Sequence, residues 1–430
     1  VPAAPPSQGP APARCQACPA LSGGACPAGA AGCSSPGQTA PWPARAGLAL
    51  AAGVAGAVVY EAQPLLAAVD RSLRSGSGPA GLLSALPQLG LALGLVLLLP
   101  LADRVPRRRL VVMLAGGLSL ASVGAAISPS LAPLALAVLV IGALSVLGQV
   151  AVPLAAETGG GRARLASQVG GALLAGAVLS RTLSGVVGGL AGWRASFWLP
   201  AALLAVAAVV SLAYLPPSRP LPSAAPYRQM LATVTRSLSG LERQAVYGAL
   251  AFGSFGAAWT ALPFLLGGGR WRLGPELIGV VGLTGVAGLA GGSVLTRLVR
   301  PSGGSASMGA FATLAVAGWA LLEVGGRSLP ALVAGLVLLD AAVQAMHLAN
   351  REGVERGSGC SAAPAATAYM ALALLGGALG SALSGAVWSW AGWPAACGVG
   401  LALAGAALAL WLVDLVRTPA GLGPSPVRRP

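Results

Sequence analysis

Between residues 46 and 416 the chain is a succession of apolar stretches, separated by short turns rich in arginine, proline and glycine. A helix needs about 20 apolar residues to cross a hydrocarbon core of about 30 Å. In lipid every backbone N–H and C=O must be paired within the protein, so runs this long predict helices. Cutting at charges and at Pro/Gly clusters predicts twelve spans, at 46–69, 80–102, 110–128, 131–156, 166–191, 196–215, 245–267, 276–296, 307–326, 329–349, 364–390 and 394–416. Hydrophobic residues make up 56% of the chain and charged residues 9%, where a soluble domain carries about 25% charged residues. So little charge could not cover a water-facing surface. A soluble enzyme, a nucleic-acid reader and a disordered protein are excluded.

All 26 basic residues are arginine, and the formal charge is +15. They form short clusters between apolar runs, so the expected partner is the lipid bilayer and not nucleic acid. With both termini placed in the cytoplasm, that side holds 19 arginines and the opposite loops hold 6: Arg71, Arg74, Arg194, Arg270, Arg272 and Arg327. Arg181 is left inside span 5. The bias follows the tendency of positive charge to stay on the cytoplasmic side. It predicts a multi-pass protein of the inner (plasma) membrane with both termini inside. The Ala-, Gly- and Arg-rich usage reads as a GC-rich, bacterial coding bias.

Residues 1–45 read as a disordered Cys/Pro/Ala-rich tail. Cys15 and Cys18 form a CxxC, followed by Cys26 and Cys33. The later pair is seven residues apart and no histidine is nearby, so neither a metal nor a cofactor is expected. Cys360 and Cys397 stand alone. The longest internal connection, 216–244, holds Pro216, Pro217, Pro220, Pro222 and Pro226. It reads as a cytoplasmic linker between an N-terminal six-helix bundle (46–215) and a C-terminal one (245–416), with 417–430 as a cytoplasmic tail.

The two halves repeat each other. Leu183-Ser184-Gly185-Val186-Val187 and then Ala191-Gly192-Trp193 return 200 residues later as Leu383-Ser384-Gly385-Ala386-Val387 and Ala391-Gly392-Trp393. Tyr60 to Leu66 in span 1 is echoed by Trp259 to Leu265 in span 7, with Pro64 and Pro263 aligned. Six spans per copy means that both copies insert in the same direction, so a site is expected near the midplane between them.

The turn between spans 2 and 3 reads Pro100-Leu101-Ala102-Asp103-Arg104-Val105-Pro106-Arg107-Arg108-Arg109-Leu110. It is either a topology anchor or a polar latch in which Asp103 pairs with the arginines or caps a facing helix. The turn resembles the signature G-x-L-A-D-R-x-G-R-R/K of the major facilitator superfamily, with Leu99 and Pro106 in place of the two glycines. The resemblance implies an all-α membrane protein, with twelve transmembrane helices in two pseudo-symmetric six-helix bundles. It also implies a conformational latch at Asp103, Arg104, Arg107, Arg108 and Arg109. Ser184 to Gly189 resembles the span-5 signature of the drug/proton antiporter branch, with Gly185 where that branch has proline. The branch's span-4 arginine is replaced by Val138. The stretches around Gln63-Pro64-Leu65-Leu66, Ser180 to Gly185 and Asp340 to Asn350 resemble bacterial sugar- or drug-efflux-like permeases.

An ionisable group inside a span costs about 2.5–3.5 kcal/mol on insertion scales and faces a cavity or a partner. Glu61 in span 1 and Arg181 in span 5 fall at similar depth and are expected to pair, either on the transport path or as a structural bridge. Asp340 in span 10 is followed on the same helical face by Gln344 and His347, and is the first choice for a protonatable coupling group. Gln63 and Gln149 are candidates for bonding a substrate or for bonding helix to helix. Tyr60 and Trp259 either face the cavity or anchor at the interface. The glycine faces at Gly90 and Gly94, and at Gly376, Gly377 and Gly380, read as sliding contacts between the halves.

No nucleophile–base pair, metal-ligand cluster or phosphate-binding loop is evident, so no enzyme is expected. The resulting expectation is a monomeric secondary transporter working by alternating access, exporting a small organic or drug-like molecule with protons as the coupling ion. A uniporter or importer of a small metabolite, or a non-transporting membrane sensor, is the alternative.

Overall fold

The computed structural model describes residues 41–157, 162–216, 227–237, 241–299, 304–357 and 362–417. Cys15, Cys18, Cys26, Cys33, Cys360, the four linker prolines other than Pro216 and the last thirteen residues lie outside them. All regular structure among the described residues is helical. Among the described residues, ten helices are long and apolar enough to cross a membrane.

Two features reconcile ten with twelve. Span 1 is a 16-residue helix, Trp42–Ala57, followed by a turn, a 3-10 segment Gln63–Leu65 and a short helix Leu66–Leu73. The long helix Ala362–Arg417 breaks at Ala391 (φ −142°) and Gly392 (φ 60°), and so comprises spans 11 and 12. The partners of these two spans show that the chain reverses there. Span 11 packs on span 7 from Gly248 beside Tyr369 up to the Ser384 hydroxyl, which donates to Ala257 O. Span 12 then runs back along span 9, from the Trp393 indole donating to Leu322 O at 2.9 Å to Trp411 beside Gly309.

The repeat read from sequence is present in the backbone. Gly192 (φ 85°) turns span 5 into span 6 as Gly392 (φ 60°) turns span 11 into span 12. Left-handed backbone favours glycine, which has no Cβ to clash. One hydrophobic core is built from Ala44 to Leu215, joined by Phe264, Ala371 and Leu374. A second is built from Tyr247 to Ala407.

Span 1 is not the continuous helix that its apolar run suggests. Pro64 has no N–H, and its ring crowds the carbonyl four residues earlier, at Tyr60. The helix therefore stops at Ala57, whose carbonyl accepts the Tyr60 N–H at 3.1 Å and the Ser180 hydroxyl at 2.6 Å. Irregular backbone at membrane depth is tolerated where protein covers it. The equivalent Pro263 is buried inside span 7, yet the helix Glu242–Gly267 runs through it.

The described helix ends at Trp42, Tyr214, Glu242 and Arg417, of spans 1, 6, 7 and 12, lie on one face, here the terminal face. Toward the opposite face the described residues of the two halves meet closely at several points. Spans 5 and 8 cross so closely that a Cβ on Gly185 would lie 2.6 Å from Gly279 Cα, and Thr182 donates to Gly279 O at 2.9 Å. Spans 2 and 11 touch at Gly81 and Gly385. The Arg71 guanidinium donates to Gly267 O at 3.3 Å. The sliding contacts expected at Gly90, Gly94, Gly376 and Gly380 are instead internal to each half. The first two pack on Leu139 and Ala143 of span 4, and the last two on Ala249 and Gly253 of span 7. Only Gly377 of that set faces the other half, at Gln88.

Candidate functional site

Span 5 is one helix, Arg162–Ala191, and it carries Arg181 into the middle of the molecule, where it is 4% exposed. The Arg181 Nε donates to Gln63 Oε1 at 2.6 Å. The guanidinium carbon lies 4.1 Å from the Trp259 ring centroid, 4.8 Å from Tyr60 and 5.2 Å from Phe255. Each such cation–π contact contributes about 0.5–2 kcal/mol, more as water is excluded. Three rings and one amide thus stand in for the water that the guanidinium lost. Tyr60 and Gln63 come from the break in span 1, and Phe255 and Trp259 from one face of span 7.

Asp340 approaches from span 10. Its Oδ1 accepts the Trp259 indole N–H at 3.2 Å, so Trp259 touches both charges. Asp340 and Arg181 interact electrostatically without forming an ion pair. Both flank the bare backbone of Gly285, where a Cβ would lie 3.8 Å from Asp340 Oδ2 and 4.0 Å from Arg181 Nη1. Asp340 Oδ2 and Arg181 Nη2 are buried with no hydrogen-bond partner. One charge from each half therefore faces the other with hydrogen-bonding capacity unspent.

The expected Glu61–Arg181 pair is not formed. Glu61 is 4% exposed, but it lines a different pocket, between spans 1, 5 and 6. The turn at Val58–Ala62 explains this, because it sends Tyr60 to the centre and Glu61 to the flank. His347 does not join Asp340 either. Its Nδ1 lies 3.1 Å from the Tyr369 hydroxyl, its ring stacks on Tyr369 at 5.7 Å, and Phe252 meets it edge-on at 5.4 Å. Gln344, between them on span 10, packs its stem on Gly292 of span 8.

A second polar cluster extends the site across the halves. Ser84 of span 2 accepts the Gln63 amide at 3.2 Å and the Thr260 hydroxyl of span 7 at 2.9 Å. One turn on, the Gln88 amide donates to Ser84 O and to the Ser381 hydroxyl of span 11, at 3.0 and 3.1 Å. Phe255, Ser84, Gln88, Thr260 and Ser381 are absent from the sequence-derived set. Two signals pointed to them: Ser84 and Gln88 are polar at i, i+4 in an apolar span, and Phe255 lies four residues before Trp259.

Gln149 lies elsewhere, in a cavity of about 390 Å³ toward the terminal face. Its walls come from spans 2, 4 and 11 and from the linker helix Tyr227–Arg236, including Leu99, Pro153, Thr233 and Thr367. The same wall holds the Asp103 turn. Arg107 pairs with Asp103 at 3.5 Å and with Glu157, at the end of span 4. Arg108 donates to Leu212 O at the end of span 6. Arg104 and Arg109 are exposed. Glu157 is a partner of Arg107 that the motif itself does not contain.

Known proteins share this plan. A bacterial homologue of the human lysosomal transporter Spinster, solved inward-facing and unoccupied, superposes with TM-score 0.65 at 12% identity, covering 87% of this chain and 96% of that one. The nucleoside transporter NupG gives TM-score 0.65 at 14% identity over 87% and 98% of the two chains. The uncharacterized transporter YgaY of Escherichia coli O157:H7 is 33% identical over 380 residues, 85% of this chain and 93% of that one. "Probable transporter SCO4007" of Streptomyces coelicolor is 35% identical over 385 residues, 86% of each. The Major Facilitator Superfamily model matches residues 48–351. Two six-helix bundles facing each other across a buried polar centre, with relatives and family model in agreement, identify the chain as a member of the major facilitator superfamily, whose proteins are multi-pass membrane transporters and not enzymes.

Proposed function

We propose that the protein is a proton-coupled exporter of a small organic compound, monomeric in the bacterial inner (plasma) membrane, with its terminal face in the cytoplasm. The observation that carries this reading is the buried couple of Arg181 and Asp340, one from each half. Protonating Asp340 cancels its attraction for Arg181 and loosens the hold of the halves on each other. Deprotonation restores it. A ligand or proton shifts such an equilibrium only through its differential affinity for the two states, and a couple that spans the moving interface has that property.

The other candidate residues take their places around this couple. Bundles 46–215 and 245–416 rock about it, and the two cores, each built mainly from one half, support that division. Tyr60, Gln63 and Trp259 wall the path at the couple, Gln344 and His347 continue it along span 10, and Gln149 lines its terminal-side mouth. The Asp103–Arg107–Glu157 cluster, formed while the cavity lies toward the terminal face, ties the terminal ends of spans 2 and 4 within their bundle and serves as the latch. The arginine excess on the terminal face supports its cytoplasmic placement.

A growth panel in an efflux-deficient host identifies a cargo, and everted vesicles then test the coupling. Asp340→Asn is expected to abolish proton-driven accumulation while keeping exchange of labelled for unlabelled cargo. Undiminished proton-driven transport by Asp340→Asn refutes the assignment.

A further inference from the structure

Glu61 occupies a place that the transport reading leaves unused. The pocket it lines has a volume of about 230 Å³ and lies between spans 1, 5 and 6. Its mouth is flanked by Leu183 and Leu199, 53% and 42% exposed on the apolar flank that lipid covers. Its walls are almost entirely apolar, with Gly53, Val54, Gly176 and Leu203 among them. Three serines also line it, but their hydroxyl hydrogens are committed to backbone. Ser180 donates to Ala57 O at 2.6 Å, Ser184 to Arg181 O at 3.4 Å and Ser196 to Ser184 O at 2.8 Å. Glu61 is the one acid in the lining, and its buried Oε1 has no hydrogen-bond partner.

We infer that this pocket binds a protonated lipophilic amine that arrives from the bilayer, its ammonium on Glu61 and its apolar body against spans 1, 5 and 6. A buried carboxyl without a partner is costly. A neutral apolar guest would leave that cost in place, whereas an ammonium donates to the carboxyl and brings the opposite charge. A bare metal ion would need several more oxygen ligands, and beside Glu61 the lining offers only three neutral serine hydroxyls. An apolar cavity of about 150 Å³ accepts benzene, so this one accommodates a ring or short branched body while any longer tail stays in lipid. The break in span 1 creates the site, because it turns Glu61 away from the central couple.

The ammonium can belong to a free amphiphilic amine or to an aminolipid headgroup. The full chain in phosphatidylcholine nanodiscs is labelled with a diazirine-bearing decylamine, and in parallel with the matching alcohol. Crosslinks are mapped by mass spectrometry. The amine is expected to label peptides containing Leu183 and Leu199 about tenfold more than the alcohol, the gain of one charge-assisted bond in an apolar pocket. Glu61→Gln brings the amine down to the level of the alcohol. Leu199→Trp, which keeps the carboxyl and fills the mouth, lowers labelling by both probes. Replacing part of the phosphatidylcholine by phosphatidylethanolamine competes if an aminolipid is the occupant. It leaves labelling unchanged if a free amine is, and either result keeps the site. Equal labelling by amine and alcohol overturns the inference, as does undiminished amine labelling of folded Glu61→Gln or of Leu199→Trp.

Discussion

Arg181 is held by rings and one amide more than by a counter-charge, and this leaves one guanidinium nitrogen without a hydrogen-bond partner, available for the response to Asp340 protonation that we propose. The two glycines beside Asp340 on span 8 separate packing from electrostatics. At Gly285 an added methyl meets only Asp340 Oδ2 and Arg181 Nη1, at 3.8 and 4.0 Å, which is ordinary contact. At Gly288 it would run into the Asp340 side chain, with Ala341 N at 3.3 Å. Gly285→Ala should therefore melt at or above the wild-type temperature, since alanine favours helix by up to about 1 kcal/mol over glycine. It should nonetheless slow transport by screening the couple. Gly288→Ala should lose about 1–3 kcal/mol by overpacking. Thermal unfolding in detergent together with vesicle transport reads both, and wild-type transport by Gly285→Ala would show that the gap at the couple does not matter.

Span 1 and span 7 carry the same proline at the same place in the repeat, yet one breaks and the other does not. The break gives span 1 two outlooks, Tyr60 toward Arg181 and Glu61 toward the flank, while span 7 presents Phe255 and Trp259 on one continuous face. Half-helices whose ends lie at the site are a recurrent feature of transporters. Pro64→Ala restores a donor and is expected to extend the helix through Tyr60, lowering transport by about tenfold or more, as misplaced groups at a working site do. Pro263→Ala, in a helix that is already continuous, should stay within about twofold on the same scale. Matched transport rates, normalised to folded protein, decide it, and equal effects of the two substitutions would mean that the break has no role.

At the scale of the whole molecule, the described helices are closed toward the face opposite the terminal one, where spans 5 and 8 cross at Gly185 and Gly279 and spans 2 and 11 at Gly81 and Gly385. Toward the terminal face a cavity bounded by spans 2, 4 and 11 and the linker helix lies between the halves. Alternating access requires the crossing to come apart, so Gly185→Ala should drive the closed state toward opening. Spin labels placed at the exposed Leu190 and Leu277 should then report a longer mean separation than in the parent protein. An unchanged distance distribution would show that the crossing is not the gate.

Number of spans, repeat, latch motif and arginine asymmetry were legible in the residues alone, because burial in lipid imposes length and polarity on each segment independently of its neighbours. The buried ionisable groups were visible for the same reason: Glu61, Arg181 and Asp340 each interrupt an apolar run. Which of them meet was not visible, since that depends on the rotation of each helix and on whether Pro64 breaks its span. Only the folded chain turned Glu61 outward, set Arg181 among Tyr60, Phe255 and Trp259, and brought Glu157 to Arg107. Helix formation in a membrane is a local requirement of the backbone, whereas the pairing of side chains between helices is settled by packing across the whole bundle.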